Sequence, residues 1–294
     1  MDTNTLADAW NQARGRGKQA VARLARRVLP SAGVTLNHVE PGLRLAVNLR
    51  RHVMFWSGGL AKFEPYTVRA LRAAVAPGDT VFDVGANIGF FSTLLSRWAG
   101  PGGRVLAFEP EPDNLAMLRA NLDANACGNV TVVPCALGAH TGAATFSLDE
   151  ATGSTGRLGG APTAGELAVG SGKLTLIETR VETIDGLVER DGIIPDVIKM
   201  DIEGGEIHAL AGASRALANH RPLVISELAG DEGPAVVDFL ESRGYRLWNL
   251  ETGEPVVAGR CPFMVVGVAE PDLDGERAGR VRAALEEIGK GRFS

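Results

Sequence analysis

Acidic residues stand at the ends of several strand-like runs in this chain of 294 residues. Asp83 follows Val81-Phe82, Glu109 follows Leu106-Ala107-Phe108, and Asp201 follows Ile198-Lys199-Met200. Carboxylates of this kind bind cationic groups, accept hydrogen bonds from sugar hydroxyls, or remove a proton during a reaction. In open α/β sheets ligands bind beyond the carboxyl ends of the strands, so these residues predict a ligand site there.

The turn after the first of these runs reads Asp83-Val84-Gly85-Ala86-Asn87-Ile88-Gly89. Gly85 and Gly89 have no Cβ atom, so we expect them to let a bulky ligand lie against the backbone around Ala86 and Asn87. The spacing is not the G-x-G-x-x-G of a dinucleotide site, which holds a pyrophosphate on backbone N–H groups. Because Asp83 also disfavours phosphate, the turn favours the cationic S-adenosylmethionine over NAD.

Glu109, followed by Pro110, ends the next strand-like run. An acid at this place accepts the two ribose hydroxyls of a nucleoside, a device that NAD enzymes share. Each hydrogen bond to such a charged group contributes roughly 1.5–3 kcal/mol. Glu109 therefore predicts a nucleoside without saying which one.

Three motifs together resemble the FkbM-type methyltransferases: Phe82–Gly89, Ala107–Pro110 and Ile198–Gly204. The resemblance runs from about residue 63 to residue 268. It implies a class I Rossmann-like fold, S-adenosylmethionine as the methyl donor and S-adenosylhomocysteine as the product. It also implies that the acceptor is a hydroxyl group.

The resemblance extends to two further parts of the donor site. The family's segment before the helix at Pro65 approaches the methionine end of the donor, so Glu64 is expected to hold the ammonium or to stabilise the first helical turn. Many class I enzymes carry an acid after the third strand that binds the adenine amino group, whereas Cys135 stands there in this chain. We therefore expect backbone groups around Ala136, or another side chain, to bind the adenine.

Four residues are candidates for the general base that takes the acceptor's proton. Asp201, which is also expected to lie beside the donor, ranks first, then Glu203, Glu227 and His208. The first three would also provide oxygen ligands for a divalent metal. Nothing in their spacing requires a metal, and none is assigned.

Three classes of function remain open at this stage. The first is O-methylation of a sugar, glycan or secondary metabolite, with N-methylation on the same fold as its alternative. The second is a non-catalytic nucleoside-binding module. The third is a nicotinamide-dependent oxidoreductase, against which the missing phosphate fingerprint and the Asp201 motif argue.

The elements that must position these residues alternate between strand and helix from Asp79 onward, which predicts a parallel sheet with right-handed crossovers. The predicted strands are 80–84, 104–108, 130–134, 196–200, 222–227, 245–250 and 262–268. The predicted helices are 88–99, 112–125, 204–218 and 233–243. In the class I fold these make a seven-stranded, mostly parallel α/β sheet with one antiparallel strand and helices on both faces.

Four regions are predicted along the chain. Residues 1–29 form a basic helical extension, 30–78 a cover of short strands and a helix, 79–270 the methyltransferase domain, and 271–294 a C-terminal helix. Strands at 144–148 and 174–179 flank an insertion loop (149–174) rich in glycine, serine and threonine. Ser154 and Thr155 lie where the family has a motif of small residues, so the resemblance implies a lid over the acceptor; disorder without a function is the alternative.

Composition limits the partners. The net charge of −5 gives no nucleic-acid footprint. The three cysteines, Cys127, Cys135 and Cys261, are typical of reduced thiols in a cytoplasmic protein. No apolar run reaches 18 residues, so no transmembrane segment is expected, although residues 1–29 carry a weak possibility of peripheral membrane contact.

Overall fold

The computed structural model describes residues 33–53, 55, 60–149, 156–159, 174–228, 232–257 and 261–291. The predicted basic extension at 1–29 and the lid residues Ser154 and Thr155 lie outside the described residues.

The strands in chain order are β1 (Gly33–Asn37), β2 (Arg44–Asn48), β3 (Thr80–Val84), β4 (Arg104–Phe108), β5 (Val130–Val133), β6 (Ala136–Leu137), β7 (Gly142–Asp149), β8 (Arg157–Leu158), β9 (Leu174–Glu182), β10 (Val197–Met200), β11 (Leu223–Glu227), β12 (Tyr245–Asn249) and β13 (Met264–Ala269). The α-helices are α1 (Pro65–Ala74), α2 (Phe90–Ala99), α3 (Pro112–Ala124), α4 (Ile184–Asp191), α5 (Glu206–Ala211), α6 (Ser214–His220), α7 (Gly233–Glu241) and α8 (Glu276–Gly289). Short 3₁₀ turns occupy Leu60–Lys62 and Glu270–Asp272.

A seven-stranded sheet in the order β12-β13-β11-β10-β3-β4-β5 forms the centre of the molecule. β13 runs in the opposite direction to the other six strands, so its pairings with β11 and β12 are antiparallel and the other four pairings are parallel. The seven-stranded, mostly parallel class I architecture is thus confirmed. The order places β10 directly beside β3, and it brings the motif around Asp201 next to the turn after Asp83.

Side chains that alternate along the strands fill an apolar core on each face of the sheet. Val81 and Val105 pack on the face that α1, α2 and α8 cover, while Phe82 and Leu106 pack on the face of α4 to α7. Parallel strands buried on both faces read as near-continuous apolar runs. A charged residue inside such a run is therefore conspicuous.

The prediction of one continuous helix at 204–218 is wrong. The chain forms two short helices, α5 and α6, with Gly212 and Ala213 between them. A Cβ atom on Gly212 would lie 2.1 Å from the carbonyl oxygen of Gly138. The helix breaks where its backbone meets another segment, a contact that periodicity along one segment does not reveal.

Helix α4 is absent from the predicted elements. Its N-cap is Thr183, whose hydroxyl oxygen accepts a hydrogen bond from the backbone N–H of Gly186 at 3.0 Å. Gly186 lowers the helix propensity of this short segment. The capping threonine was the signal that would have identified the helix.

A second sheet, in the order β6-β9-β7-β8, carries the insertion. Strands β7 and β9 are longer than the predicted 144–148 and 174–179. The predicted strands of the N-terminal cover are present as the antiparallel pair β1 and β2. Among the described residues, no helix combines the length and the apolar character that crossing a bilayer requires.

Candidate active site

A cavity of about 410 Å³ opens at the carboxyl ends of β3, β4, β10 and β11. Most of the predicted site residues line it: Glu64, Gly85, Ala86, Asn87, Glu109, Pro110, Ala136, Asp201, Glu203 and Glu227. Asp83, Gly89 and His208 are not among the lining residues. The sheet order therefore gathers residues from distant parts of the sequence around one space.

The glycines of the turn meet the protein's own chain more closely than the sequence suggested. Gly85 has a φ of 77°, and a Cβ atom on it would lie 1.9 Å from the carbonyl oxygen of Asp201. A Cβ atom on Gly89 would lie 2.7 Å from a methyl group of Leu118. Gly85 lets the two strand-end loops touch, and Gly89 lets α3 approach α2. For both glycines, close packing within the protein already explains why a Cβ atom is excluded. Gly85 also lines the cavity, where a ligand could contact its backbone, whereas Gly89 does not line it.

Every backbone N–H group from Gly85 to Gly89 donates a hydrogen bond inside the protein. Their acceptors are the carbonyl of Phe108 (for both Gly85 and Ala86), the Glu109 carboxylate (for Asn87), the Asn87 side chain (for Ile88) and the carbonyl of Ala86 (for Gly89). A pyrophosphate held as in a dinucleotide site requires such groups to be free. The turn therefore has no N–H group left for a phosphate.

Asp83 lies beneath the cavity, which corrects its predicted contact with the donor. Its Oδ2 accepts a hydrogen bond of 2.6 Å from the hydroxyl of Ser92, and its Oδ1 lies 3.3 Å from the ammonium of Lys199. Strand register places Lys199 directly beside Asp83 on the neighbouring strand. The physical reason for the acid before Gly85 is therefore its pairing with a buried lysine.

Lys199 also lines the cavity, and the sequence analysis assigned no role to it. Its Nζ donates to the carbonyl oxygen of Gly85 at 3.1 Å and lies 3.7 Å from Oδ2 of Asp201. Burial disfavours the ammonium, but the carboxylates of Asp83, Asp201 and Glu64 outweigh it and raise the pKa of Lys199. A lysine in the fully buried strand Val197–Met200 was the available signal, because unpaired lysines are almost never fully buried.

Glu109 is buried at the end of β4, where its Oε2 and Oε1 each accept one backbone N–H bond of 2.8 Å, from Asn87 and from Glu111. Burial raises the pKa of Glu109 to about 7, against the opposing effect of those two N–H groups. The side chain of Asn114 also hydrogen-bonds to this carboxylate. A carboxylate has about four acceptor positions, so one of them stays open for a ligand hydroxyl.

Glu64 lines the cavity from the cover side and adopts a left-handed conformation with φ of 43°. Its Oε2 is buried without a hydrogen bond, and its side chain does not cap α1. Burial and the neighbouring Asp201 carboxylate raise the pKa of Glu64 to about 7, while Lys199 opposes the shift. The unsatisfied oxygen is well placed for a cationic group in the cavity.

Asp201, Glu203 and Glu227 form a cluster that we call the acidic trio. One carboxylate oxygen of each lies within 4.8 Å of those of the other two. Burial first, and then the charge of Asp201, raise the pKa of Glu227, which is hydrogen-bonded to Asp201. Within the described part of the chain, the buried Oε2 atom of Glu227 makes no hydrogen bond.

Glu206 and His208, both on α5, have different places. Glu206 is buried, and its two oxygens accept the N–H groups of Ile202 at 3.0 Å and of Gly204 at 2.9 Å. It therefore fixes the loop that carries Asp201 and Glu203. His208 is exposed on the helix surface and does not line the cavity, so the structure removes it from the candidate bases.

The opposite end of the cavity is apolar. Cys135, Ala136 and Leu137 form its floor, and Phe146 and Leu158 reach it from the inserted sheet. Burial raises the pKa of the Cys135 thiol to about 11, so the thiol stays neutral. The described part of the insertion thus lines the end predicted for the adenine rather than the end with the acidic trio.

Comparison with known proteins gives a consistent family. Residues 83–247 match the sequence profile of the methyltransferase FkbM domain. The hexuronic acid methyltransferase AglP of Haloferax volcanii is 28% identical over 67% of this chain and 77% of its own length. The 31-O-demethyl-FK506 methyltransferase FkbM of Streptomyces tacrolimicus is 31% identical over 62% of this chain and 78% of its own length.

The crystal structure of an FkbM methyltransferase from Methylobacillus flagellatus covers 67% of this chain at 21% identity, with a TM-score of 0.42, and the match spans 47% of that protein. The profile match covers more than half of the chain and includes the motifs around Asp83, Glu109 and Asp201. The chain therefore belongs to the FkbM family of S-adenosylmethionine-dependent methyltransferases.

Proposed function

We propose that this protein transfers the methyl group of S-adenosylmethionine to a hydroxyl group of a sugar, glycan or secondary metabolite. The observation that carries the proposal is the division of one cavity between Glu109 and the acidic trio. The Glu109 carboxylate keeps an open acceptor position at one side, and the trio presents carboxylates at the other. The turn Gly85–Gly89 lies between them.

The residues present fit the donor group by group. Glu109 receives the ribose hydroxyls, and the apolar floor at Cys135 and Ala136 receives the adenine. Glu64, with its unsatisfied buried oxygen, receives the ammonium. S-Adenosylmethionine carries no phosphate, so a turn whose N–H groups are all engaged suits it and does not suit NAD.

The trio lies where the reacting oxygen of the acceptor would stand. That oxygen attacks the methyl carbon, the new C–O bond forms as the C–S bond breaks, and the electron pair passes to sulfur. Asp201 takes the hydroxyl proton, because it is the least enclosed carboxylate next to the ion pair of Asp83 and Lys199. Alignment of donor and acceptor contributes roughly 7–11 kcal/mol, and a general base adds about 10²–10⁴-fold.

The relatives suggest which acceptors to test first. One is named for a hexuronic acid and the other for 31-O-demethyl-FK506. N-Methylation is the second candidate, because an acidic pocket also attracts an amine. The product distinguishes the two. An ether oxygen does not take up a proton in an acid–base titration, whereas a methylated amine does.

The test is a product assay with methyl-labelled S-adenosylmethionine and a panel of hexuronic acid glycosides, neutral glycosides and macrolide alcohols. Calorimetric titrations with S-adenosylhomocysteine and with NAD accompany it. We expect binding of S-adenosylhomocysteine, no binding of NAD, and label in an ether. Binding of NAD in place of S-adenosylhomocysteine would overturn the proposal.

A further inference from the structure

We propose that the acidic trio of Asp201, Glu203 and Glu227 binds one divalent cation of the Mg²⁺, Mn²⁺ or Ca²⁺ class. The inference rests on the proposed function, because the cation would hold the acceptor oxygen during methyl transfer. It departs from the sequence interpretation, in which the spacing gave no reason to assign a metal.

The first argument is the distance between the three ligand atoms. One oxygen from each carboxylate lies within 4.8 Å of the other two. Calcium ions take oxygen ligands at about 2.3–2.6 Å and magnesium ions at about 2.0–2.1 Å, so oxygens around one ion stand no more than roughly 4–5 Å apart. The trio therefore matches the span of a single coordination sphere, and its ligands are the hard oxygens that these ions prefer.

The second argument is an unsatisfied atom. Glu227 is only 6% exposed, it lines the cavity, and its Oε2 makes no hydrogen bond within the described residues. A buried acceptor without a partner costs about 1–3 kcal/mol, and more when it is charged. A cation in the cavity would satisfy this oxygen.

The third argument is that the one lysine at the cluster is already engaged. Lys199 donates to the carbonyl of Gly85 and lies nearer to Asp83, at 3.3 Å, than to Asp201, at 3.7 Å. It therefore balances the buried acid beneath the cavity. Lys62 also lines the cavity but is exposed. Among the described residues, a bound cation is therefore the better source of the positive charge that the cavity side of the trio requires.

The backbone that carries the trio is held in place before any cation binds. Glu206 accepts the N–H groups of Ile202 and Gly204 on either side of Glu203. The N–H of Asp201 donates to the carbonyl of Val84 at 3.1 Å. Ligands fixed in this way reorganise little on binding, which favours affinity.

The position of Glu227 assigns the cation to the acceptor rather than to the donor. Glu227 lies opposite Met264 across the antiparallel pair β11–β13, next to the exposed ring of Phe263 that also lines the cavity. Glu109 lies on the other side, beyond β10 and β3. A cation with three protein ligands keeps open positions, so it would bind an acceptor with two adjacent oxygens and lower the pKa of its hydroxyl.

Titration of the metal-stripped full-length protein with Mn²⁺, followed by electron paramagnetic resonance, tests the inference without a donor or an acceptor. We expect one Mn²⁺ per chain that Mg²⁺ displaces. Glu227→Gln keeps the shape of the side chain and removes its charge, and we expect it to weaken Mn²⁺ binding at least about tenfold. Glu189→Gln, at a side chain that is 72% exposed on α4, is the matched control and should leave Mn²⁺ affinity unchanged.

S-Adenosylhomocysteine binding by the same samples separates this inference from the proposed function. Retained binding by Glu227→Gln shows that the variant is folded, so a loss of Mn²⁺ then supports the cation site. If the wild-type protein binds S-adenosylhomocysteine but no Mn²⁺, the cation inference is wrong and the methyltransferase proposal stands. If it binds Mn²⁺ at the trio but no S-adenosylhomocysteine, the proposed function fails instead.

Discussion

Replacing Glu109 with glutamine gives the sharpest test of the donor site, because it changes one atom and leaves the shape unchanged. Both carboxylate oxygens accept a backbone N–H bond of 2.8 Å, the Asn114 side chain donates a third bond, and one acceptor position stays open for a ribose hydroxyl. In glutamine one of these oxygens becomes an NH₂ group, which cannot accept a hydrogen bond. That NH₂ group also faces the backbone N–H of Asn87 or of Glu111, so that two donors repel each other.

The magnitude follows from the bonds lost. One hydrogen bond from a ribose hydroxyl to a charged acceptor contributes about 1.5–3 kcal/mol, which corresponds to about 10- to 150-fold in affinity. Glu109→Ala removes the whole carboxylate and with it every bond to the ribose, so we expect a loss of affinity of about 100-fold or more. Asp123→Asn, at an exposed acid on α3, is the matched control and should change the affinity little.

The direction of the pH dependence provides an independent check. Burial raises the pKa of Glu109 to about 7 in the free protein. Ribose hydroxyls donate to the ionised form, so donor affinity should rise as the pH increases through 7. This rise should be smaller in Glu109→Gln, where only the ionisation of Glu64 beside the ammonium remains in that range. For the free protein the sign is opposite: a raised carboxyl pKa contributes stability below about 4.5 that is lost as the pH rises through 7.

Isothermal titration of S-adenosylhomocysteine from pH 6 to pH 8 measures both effects, and urea unfolding over the same range measures the stability of the free protein. Unchanged affinity in Glu109→Gln at pH 8, with the wild-type fold retained, would refute the assignment of Glu109 to the ribose.

Three further outcomes are expected from variants elsewhere in the site. Lys199→Met leaves Asp83 as a buried charge without its partner and should lower the free energy of unfolding, measured by urea denaturation, by about 3–5 kcal/mol. The double variant with Asp83→Asn should recover part of this loss. If the effects of the two substitutions simply add, the pairing is wrong. Asp201→Asn should reduce turnover by about 10²–10⁴-fold, with a much smaller change in S-adenosylhomocysteine affinity; unimpaired turnover would transfer the base role to Glu203. His208→Gln should leave turnover unchanged in the same assay, because the structure leaves that side chain exposed outside the cavity.

The sequence predicts much of this site because local patterns determine it. Apolar runs that end in Asp83, Glu109 and Asp201 identify β3, β4 and β10, and the strand–helix alternation requires their ends to share one edge. The roles of Asp83 and Gly85 were beyond such reasoning. Both roles depend on β10 lying beside β3 in a particular register, since that register creates the lysine pair and the contact with the carbonyl of Asp201.

The charges of the cavity lead to a final argument about the acceptor. Glu64, Glu109 and the acidic trio all line it, and the buried Lys199 is drawn towards Asp83. Above pH 7, where Glu64 and Glu109 are ionised, these charges repel an anionic group strongly in a partly dry cavity. An acceptor with its own carboxylate, such as a uronic acid, would therefore bind poorly to the metal-free protein, whereas a neutral polyol would not.

A divalent cation at the trio reverses that preference, because it attracts the acceptor's carboxylate and hydroxyl together. The ratio of activity on a uronic acid glycoside to activity on its neutral counterpart should thus rise on adding Mg²⁺, and a ratio independent of Mg²⁺ would show that the trio acts on the acceptor without a metal.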